Sequence, residues 1–429
     1  MNVISIILAA GKGTRMKSSI PKPLQEIGGR SLIEWLLVSL NKIKIKEKVF
    51  VLGDQSNIIN NYLGEINYVI QKPQLGTGHA VKKAQKKIKD FESIFIISYA
   101  DTPFVKPETL EKLINNVNKE TPIAILGFNA ENPSGYGRII KNRSNNVIKI
   151  VEERDANENI LNLNLCNSGI MAVEGKILFK YLDKVQKSKN GEYYLTDIVK
   201  ICSQNNKQIK LVLGSEDEFF GVNNKNDLAK AEKIIQDKMR NYAMSIGVTL
   251  KDPETVFFNH DTELENDVTI EPNVVFGPKV TIKTNTIIKS FSYLEGCQIG
   301  ENSIIGPFAR IRPGSVLDQK TKIGNFVEIK NSKIKKNSKI NHLSYIGDTE
   351  IGENSNIGAG SITCNYDGVK KHSTKIGNNV FIGSNTSLVA PLTIGDGAII
   401  GAGSTITKNV KQKTLNVERS KQREFKIKK

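Results

Sequence analysis

Phosphate chemistry is the first thing these residues suggest. The run Val3-Ile4-Ser5-Ile6-Ile7-Leu8-Ala9-Ala10-Gly11-Lys12-Gly13-Thr14-Arg15-Met16, followed by Pro21-Lys22-Pro23, joins an apolar segment to glycines and cations. An apolar, β-branched run of about six residues reads as a buried parallel strand. Where it ends, small residues let backbone N–H groups approach an anion, and Arg15 and Lys22 add positive charge beside the turn. Asp101, at the end of a second apolar run through Ile96, Ile97 and Tyr99, suits a divalent cation bridging phosphate oxygens. A third stretch, Gln71-Lys72-Pro73-Gln74-Leu75-Gly76-Thr77-Gly78, offers glycine amides to a base or phosphate, and Gln71 can read a base edge. No Gly-Lys-Ser/Thr follows four residues after a glycine, and Gly11-Lys12-Gly13 lacks a third glycine, so neither the P-loop nor the dinucleotide fingerprint is present.

The elements that must position these groups alternate. Helical spacing at Leu32, Ile33, Leu36, Leu37 and Leu40, with Ser31 as cap, follows the first strand, and strands recur at Val49–Leu52, Ile94–Ile97 and Ile123–Leu126. Alternation of this kind predicts a doubly wound, Rossmann-like α/β domain with a mostly parallel sheet, whose ligands bind beyond the carboxyl ends of the strands. At 429 residues, two or three domains are expected. The composition, 39% hydrophobic and 24% charged, is that of a globular protein. The N-terminal apolar run is too short to span a membrane and lacks the flanks of a signal peptide, so a cytoplasmic protein without membrane insertion is expected. Four scattered cysteines without a Cys-Xaa-Xaa-Cys pair argue against a disulfide framework or zinc site. A net charge of +17 with 7% aromatics and no nucleic-acid signature favours phosphorylated small molecules over nucleic acid.

Leu8-Ala9-Ala10-Gly11-Xaa-Gly13-Thr14-Arg15 with Pro21-Lys22 resembles the signature of the sugar-1-phosphate nucleotidyltransferases. The resemblance makes Gln71, Gly76 and Thr77 part of a nucleotide loop and Asp101 a magnesium ligand, with Tyr99 and Ala100 beside it. Relatives mostly read Gly where this chain has Ala100. Further on, Gly137, Glu152 and Asn167 resemble the residues that hold the sugar in uridylyltransferases acting on N-acetylglucosamine 1-phosphate, and Asn223 would complete the metal site with Asp101. Arg15, Lys22 and the metal would neutralise charge while a sugar phosphate attacks the α-phosphate of UTP and pyrophosphate leaves.

A charged amphipathic helix over 225–245 separates this first domain, 1–224, from a second, 246–429, with a different period. Ile376, Ile382, Leu388, Ile394, Ile400 and Ile406 stand at every sixth position, as do Ile299, Ile305, Ile311, Leu317, Ile323 and Ile329. Four places on, the residue is often small, as at Ser303, Ala309, Ser355 and Ala398. A strict six is the mark of a hexapeptide β-helix. The insertion between Ile362 and Ile376, from Thr363 onward, would project from it as a loop.

In the hexapeptide acyltransferases the β-helix is left-handed and trimeric, with active sites between subunits. Arg310-Ile311-Arg312-Pro313, Asn341-His342-Leu343-Ser344-Tyr345, Asn356-Ile357-Gly358-Ala359 and Thr363-Cys364-Asn365-Tyr366-Asp367-Gly368 resemble the acetyltransferase half of the bacterial bifunctional uridylyltransferase/acetyltransferases of UDP-N-acetylglucosamine synthesis. The resemblance implies His342 as general base, Arg312 and Lys330 on the phosphate of glucosamine 1-phosphate, and Tyr345 and Asn356 on the sugar. It implies Ala359, Asn365, Tyr366, Ser384, Ala402 and Arg419 on acetyl-CoA, and a homotrimer. A nucleotidyltransferase of other sugar specificity with a scaffolding β-helix is the alternative, against which His342 and Asn365-Tyr366 argue. A non-enzymatic scaffold joining the same two folds is a third reading, against which Arg15, Lys22 and Asp101 argue.

Overall fold

The computed structural model describes residues 2–427, and the chain divides into two compact units between Ile234 and Ile235. In the first unit the strands of the main sheet are β1 (Val3–Ala9), β2 (Glu47–Leu52), β3 (Tyr68–Ile70), β4 (Ile94–Tyr99), β5 (Ile123–Asn129), β6 (Gly137–Lys141), β7 (Val147–Val151), β8 (Leu165–Glu174) and β9 (Ile209–Leu213). Their order across the sheet is β9-β5-β8-β4-β1-β2-β3, with the β6–β7 hairpin joined to β8. Every neighbour on the main path is parallel except β8, which runs antiparallel to β4 and β5.

Alternation along β1 explains the two layers of helices. Ile4, Ile6 and Leu8 join one core with Ala80, Val81, Leu178 and Ile198, while Val3, Ile7 and Ala9 join the other with Ile33, Leu36 and Leu110. Successive side chains of a strand point to opposite faces, so an all-apolar strand needs helices on both. The first helix, Leu32–Asn41, begins with a capping box: Ser31 Oγ accepts from Glu34 N–H at 3.4 Å and the Glu34 carboxylate accepts from Ser31 N–H at 3.1 Å.

A 21-residue helix, Lys225–Ser245, follows, and beyond it the described residues hold no α-helix. The second unit is a parallel β-helix of three sheets with ten, eight and eight strands. Ile305 pairs with Ile323 on the first face, Ile311 with Ile329 on the second, and Ile299 with Leu317 on the third. The six-spaced aliphatics therefore stack coil over coil, and all are 6% exposed or less. Each such side chain contributes about 1.5–3 kcal/mol relative to exposure. The small residues four places on are buried at the corners, where serine hydroxyls bond the next coil, as Ser355 Oγ does with Gly377 O at 2.8 Å.

Candidate active sites

Because Leu8 of β1 lies beside Tyr99 of β4, the turns after both strands open at one sheet edge. Ala100 N–H donates to Leu8 O at 3.1 Å and fixes that alignment. The cavity formed there, about 410 Å³, is lined by Leu8, Ala9, Ala10, Gly11, Lys22, Gln71, Gly76, Thr77, Tyr99, Ala100 and Asp101. Residues from three separated stretches of sequence thus meet in one space. Lys12, Pro23, Gln74, Ala80 and Glu192 line it too. Gln74 Nε2 donates to Ala10 O at 2.5 Å, tying the nucleotide loop to the glycine-rich turn. Gly76 has φ +96°, and a Cβ there would lie 2.6 Å from Tyr193 O, so only glycine fits. Gln71 Nε2 donates to Gly76 O at 2.9 Å and holds the loop from inside. Ala100 is 1% exposed and its methyl packs into the core.

Four polar side chains converge beside this cavity. The Lys22 ammonium pairs with the Asp101 carboxylate, and it also donates to Asn223 Oδ1 at 3.1 Å. Arg15 Nη2 donates to the same oxygen at 3.1 Å. Val222 N–H donates to Asp101 O at 2.9 Å, which is how a residue so distant in sequence arrives. Asp101 and Asn223 offer one carboxylate and one amide oxygen, a donor set fit for a hard divalent cation that keeps water or phosphate oxygens in its other positions. No group of three or more His, Cys, Asp and Glu among the described residues could hold a metal by itself.

Gly137, Glu152 and Asn167 form a neighbouring group. Gly137 pairs with Asn167 across β6 and β8, and a Cβ on Gly137 would lie 3.3 Å from Glu152 Oε2. Thr196 Oγ1 donates to Glu152 Oε1 at 2.7 Å, and burial pushes the Glu152 pKa above its ordinary value. Asn167 Oδ1 is buried without a hydrogen-bond partner, a carbonyl left for something else to satisfy. Tyr99 links this group to the cavity: burial, then the Glu152 and Asp101 charges, raise its phenol pKa.

In the β-helix, register arranges the second set. His342, Ala359, Ser384 and Ala402 each stand two residues past a stacked isoleucine of the first face, Ile340, Ile357, Ile382 and Ile400. They form a column along one corner, rising by about 4.8 Å per coil. Arg419 joins its far end, its guanidinium donating to Ala402 O at 2.9 Å. His342 Nδ1 lies 2.6 Å from Asn325 Oδ1 in the coil below.

Lys330 and Tyr345 lie on the second face, where Glu328 pairs with Tyr345 and Arg312 donates to Glu328 Oε1 at 2.8 Å. The Asn365 amide bonds the Asp348 carboxylate there, and Tyr366 is 59% exposed on the insertion. Asn356 belongs to the first face, between Lys339 and Phe381, so one chain does not gather the whole set on one surface. Lys371 was missed in the sequence. The Lys330 ammonium beside it holds the Lys371 pKa below lysine's ordinary value, and two adjacent amines make a seat for an anion.

Comparison with known proteins agrees with this division. Residues 5–156 match the MobA-like NTP transferase domain, and residues 296–331 and 373–408 match the bacterial transferase hexapeptide repeat. The bifunctional protein GlmU of Zymomonas mobilis is 46% identical over 97% of this chain and 94% of its own length. Those of Maricaulis maris and Streptococcus uberis are 47% and 41% identical, over 97% and 98% of this chain and 93% and 96% of theirs. The chain belongs to the GlmU family. It is a bifunctional transferase, with a nucleotidyltransferase fold followed by a left-handed β-helix of hexapeptide repeats.

Proposed function

We propose that this chain acetylates glucosamine 1-phosphate at the β-helix and then uridylylates the product at the α/β unit, making UDP-N-acetylglucosamine. The observation that carries this reading is the presence, in a GlmU family member, of both constellations: Arg15, Lys22, Asp101 and Asn223 at one sheet edge, and the His342 column on the β-helix.

In acetyl transfer the 2-amino nitrogen attacks the thioester carbonyl, the C–N bond forms, the C–S bond breaks and coenzyme A leaves as the thiol. With Asn325 Oδ1 accepting from His342 Nδ1–H, the Nε2 lone pair is free to take the amine proton. Arg312, Lys330 and Lys371 would hold the sugar phosphate, Tyr345 and Asn356 the sugar, and Ala359, Asn365, Tyr366, Ser384, Ala402 and Arg419 the acetyl-CoA. In the second reaction a phosphate oxygen of N-acetylglucosamine 1-phosphate attacks the α-phosphorus of UTP and pyrophosphate departs. Leu8, Ala9, Ala10, Gly11, Gln71, Gly76, Thr77, Tyr99 and Ala100 would enclose the nucleotide, and Gly137, Glu152 and Asn167 the sugar. Arg15 and Lys22 oppose the charge developing on the phosphates. Magnesium, held by Asp101 and Asn223, would supply Lewis-acid neutralisation. Both reactions are assigned to the cytoplasm; no described helix is long and apolar enough to cross a membrane.

Glu152 gives this reading a pH signature. Its ionised form accepts from the sugar, and a raised pKa means that form is lost at a higher pH than for an ordinary carboxylate. The KM for N-acetylglucosamine 1-phosphate in pyrophosphate release should therefore rise as pH falls from neutrality. Glu152→Gln should raise KM about tenfold at pH 8 and flatten the profile. A wild-type KM that is flat down to about pH 4 would contradict the assignment.

A homotrimer is part of the proposal, and the corner that carries His342 supports it. One position further along that corner, the lower coils bear Phe291, Phe308, Phe326 and Leu343, 44–61% exposed and all at positive φ. Consecutive Phe rings stack at 4.9 and 5.0 Å between centroids. Bulky side chains at left-handed corners are costly, and an exposed aromatic ladder invites a partner surface. A second copy seated there would adjoin the His342 column and bring Asn356 of one chain toward the second face of another. Phe308→Glu should convert the trimer to monomers in sedimentation velocity, abolish thiol release and leave pyrophosphate release intact. A monomeric variant with full thiol release would contradict the shared site.

A further inference from the structure

The insertion after Cys364 carries a knot of hydrogen bonds centred on Asp367. Asp367 Oδ1 accepts from Val369 N–H at 2.8 Å and Lys370 N–H at 2.6 Å, while Oδ2 takes the His372 Nε2 hydrogen bond at 2.7 Å. The backbone closes the same hairpin: His372 N–H donates to Asn365 O at 2.8 Å, and Asp367 N–H to Lys370 O at 3.2 Å. The Tyr366 hydroxyl donates to Gly368 O at 2.6 Å. With Val369 82% exposed and Tyr366 59% exposed, the loop buries little apolar surface, so these polar bonds set its shape.

Loop shape matters because of what the loop presents. Lys371 precedes His372 and sits beside Lys330, near Asp348 and Tyr345. Two ammonium groups side by side repel, and although the Asp348 carboxylate near both offsets part of that, a fixed backbone at Lys371 helps to keep the pair together. We propose that the Asp367–His372 pair is a positioning clasp for acetyl transfer, holding Lys371 beside Lys330 so that one sugar phosphate bridges both ammonium groups. This rests on the reading of the β-helix as an acetyltransferase. His372 touches neither substrate in this account; it acts through the neighbouring Lys371.

The test is steady-state thiol release by the full-length protein, with glucosamine 1-phosphate varied at saturating acetyl-CoA. His372→Ala should raise the KM for glucosamine 1-phosphate about tenfold and leave kcat within about twofold. His372→Gln, whose side-chain amide still offers an N–H to Asp367, should recover most of the lost affinity. Pyrophosphate release from UTP and N-acetylglucosamine 1-phosphate should be unchanged in both variants, and the retained kcat for thiol release reports an intact β-helix. An unchanged KM in His372→Ala would overturn the clasp, and so would equal losses in the Ala and Gln variants. Absence of thiol release from the unsubstituted protein would instead overturn the acetyltransferase reading, and the clasp with it.

Discussion

His342→Ala is expected to lower kcat for coenzyme A release by about 10²–10⁴-fold, the usual worth of a positioned general base. The KM for acetyl-CoA should change little, because the column from Ala359 to Ala402 stays in place. His342 is exposed on the corner, with only its Nδ1 engaged, by Asn325, so truncation leaves no buried group unpaired and the coil should fold normally. Asn325→Ala should produce a smaller loss of the same kind, since the imidazole then samples both tautomers. Thiol release followed with a chromogenic disulfide measures both. A His342→Ala protein retaining more than about a tenth of wild-type kcat would remove His342 from the reaction.

Asp101→Asn is expected to reduce pyrophosphate release by about 10²–10³-fold, and to raise the magnesium concentration needed for half-maximal rate. In the free protein the Asp101 carboxylate is neutralised by Lys22, and Asn223 Oδ1 is shared by Lys22 and Arg15. An amide at position 101 releases Lys22 and removes the only formal negative charge among the two metal-facing groups. Lys22→Ala should also cost about 10²-fold, through lost neutralisation on the phosphates, without raising the magnesium requirement, since it frees both metal-facing groups. Thiol release should stay at wild-type rates in both variants. An Asp101→Asn enzyme with normal rate and normal magnesium dependence would contradict the metal assignment.

Much of this architecture was legible in the chain itself. A side chain at every sixth position admits one explanation, and Ile299 to Ile329 and Ile376 to Ile406 stack as that period requires. The capping box at Ser31 and Glu34 was half-visible as a serine before an apolar helix. The glycine-rich turn, the Gln71–Thr77 loop and the Asp101 strand end could be expected at one edge, because parallel sheets open their ligand sites beyond the strand ends. The misses share a cause: they depend on contacts between segments with no local signal. Strand β8 runs antiparallel in a sheet whose strands read alike. Gln74 reaches back to Ala10, and Lys371 meets Lys330 only because an insertion brings its chain down past two coils. His372, a lone histidine without a motif, gained meaning once Asp367 stood 2.7 Å away. Ala100, which the sequence could not place on the ligand or the core side, packs its methyl in the core at 1% exposure.

The central claim is that one chain performs two reactions in sequence. It is tested by mixing the protein with glucosamine 1-phosphate, acetyl-CoA, UTP and magnesium, and following free thiol and pyrophosphate separately. The account predicts thiol first, pyrophosphate after a lag, and no pyrophosphate when acetyl-CoA is omitted unless N-acetylglucosamine 1-phosphate is supplied. Pyrophosphate without thiol, formed at full rate from unacetylated sugar, would contradict it and reduce the β-helix to a scaffold.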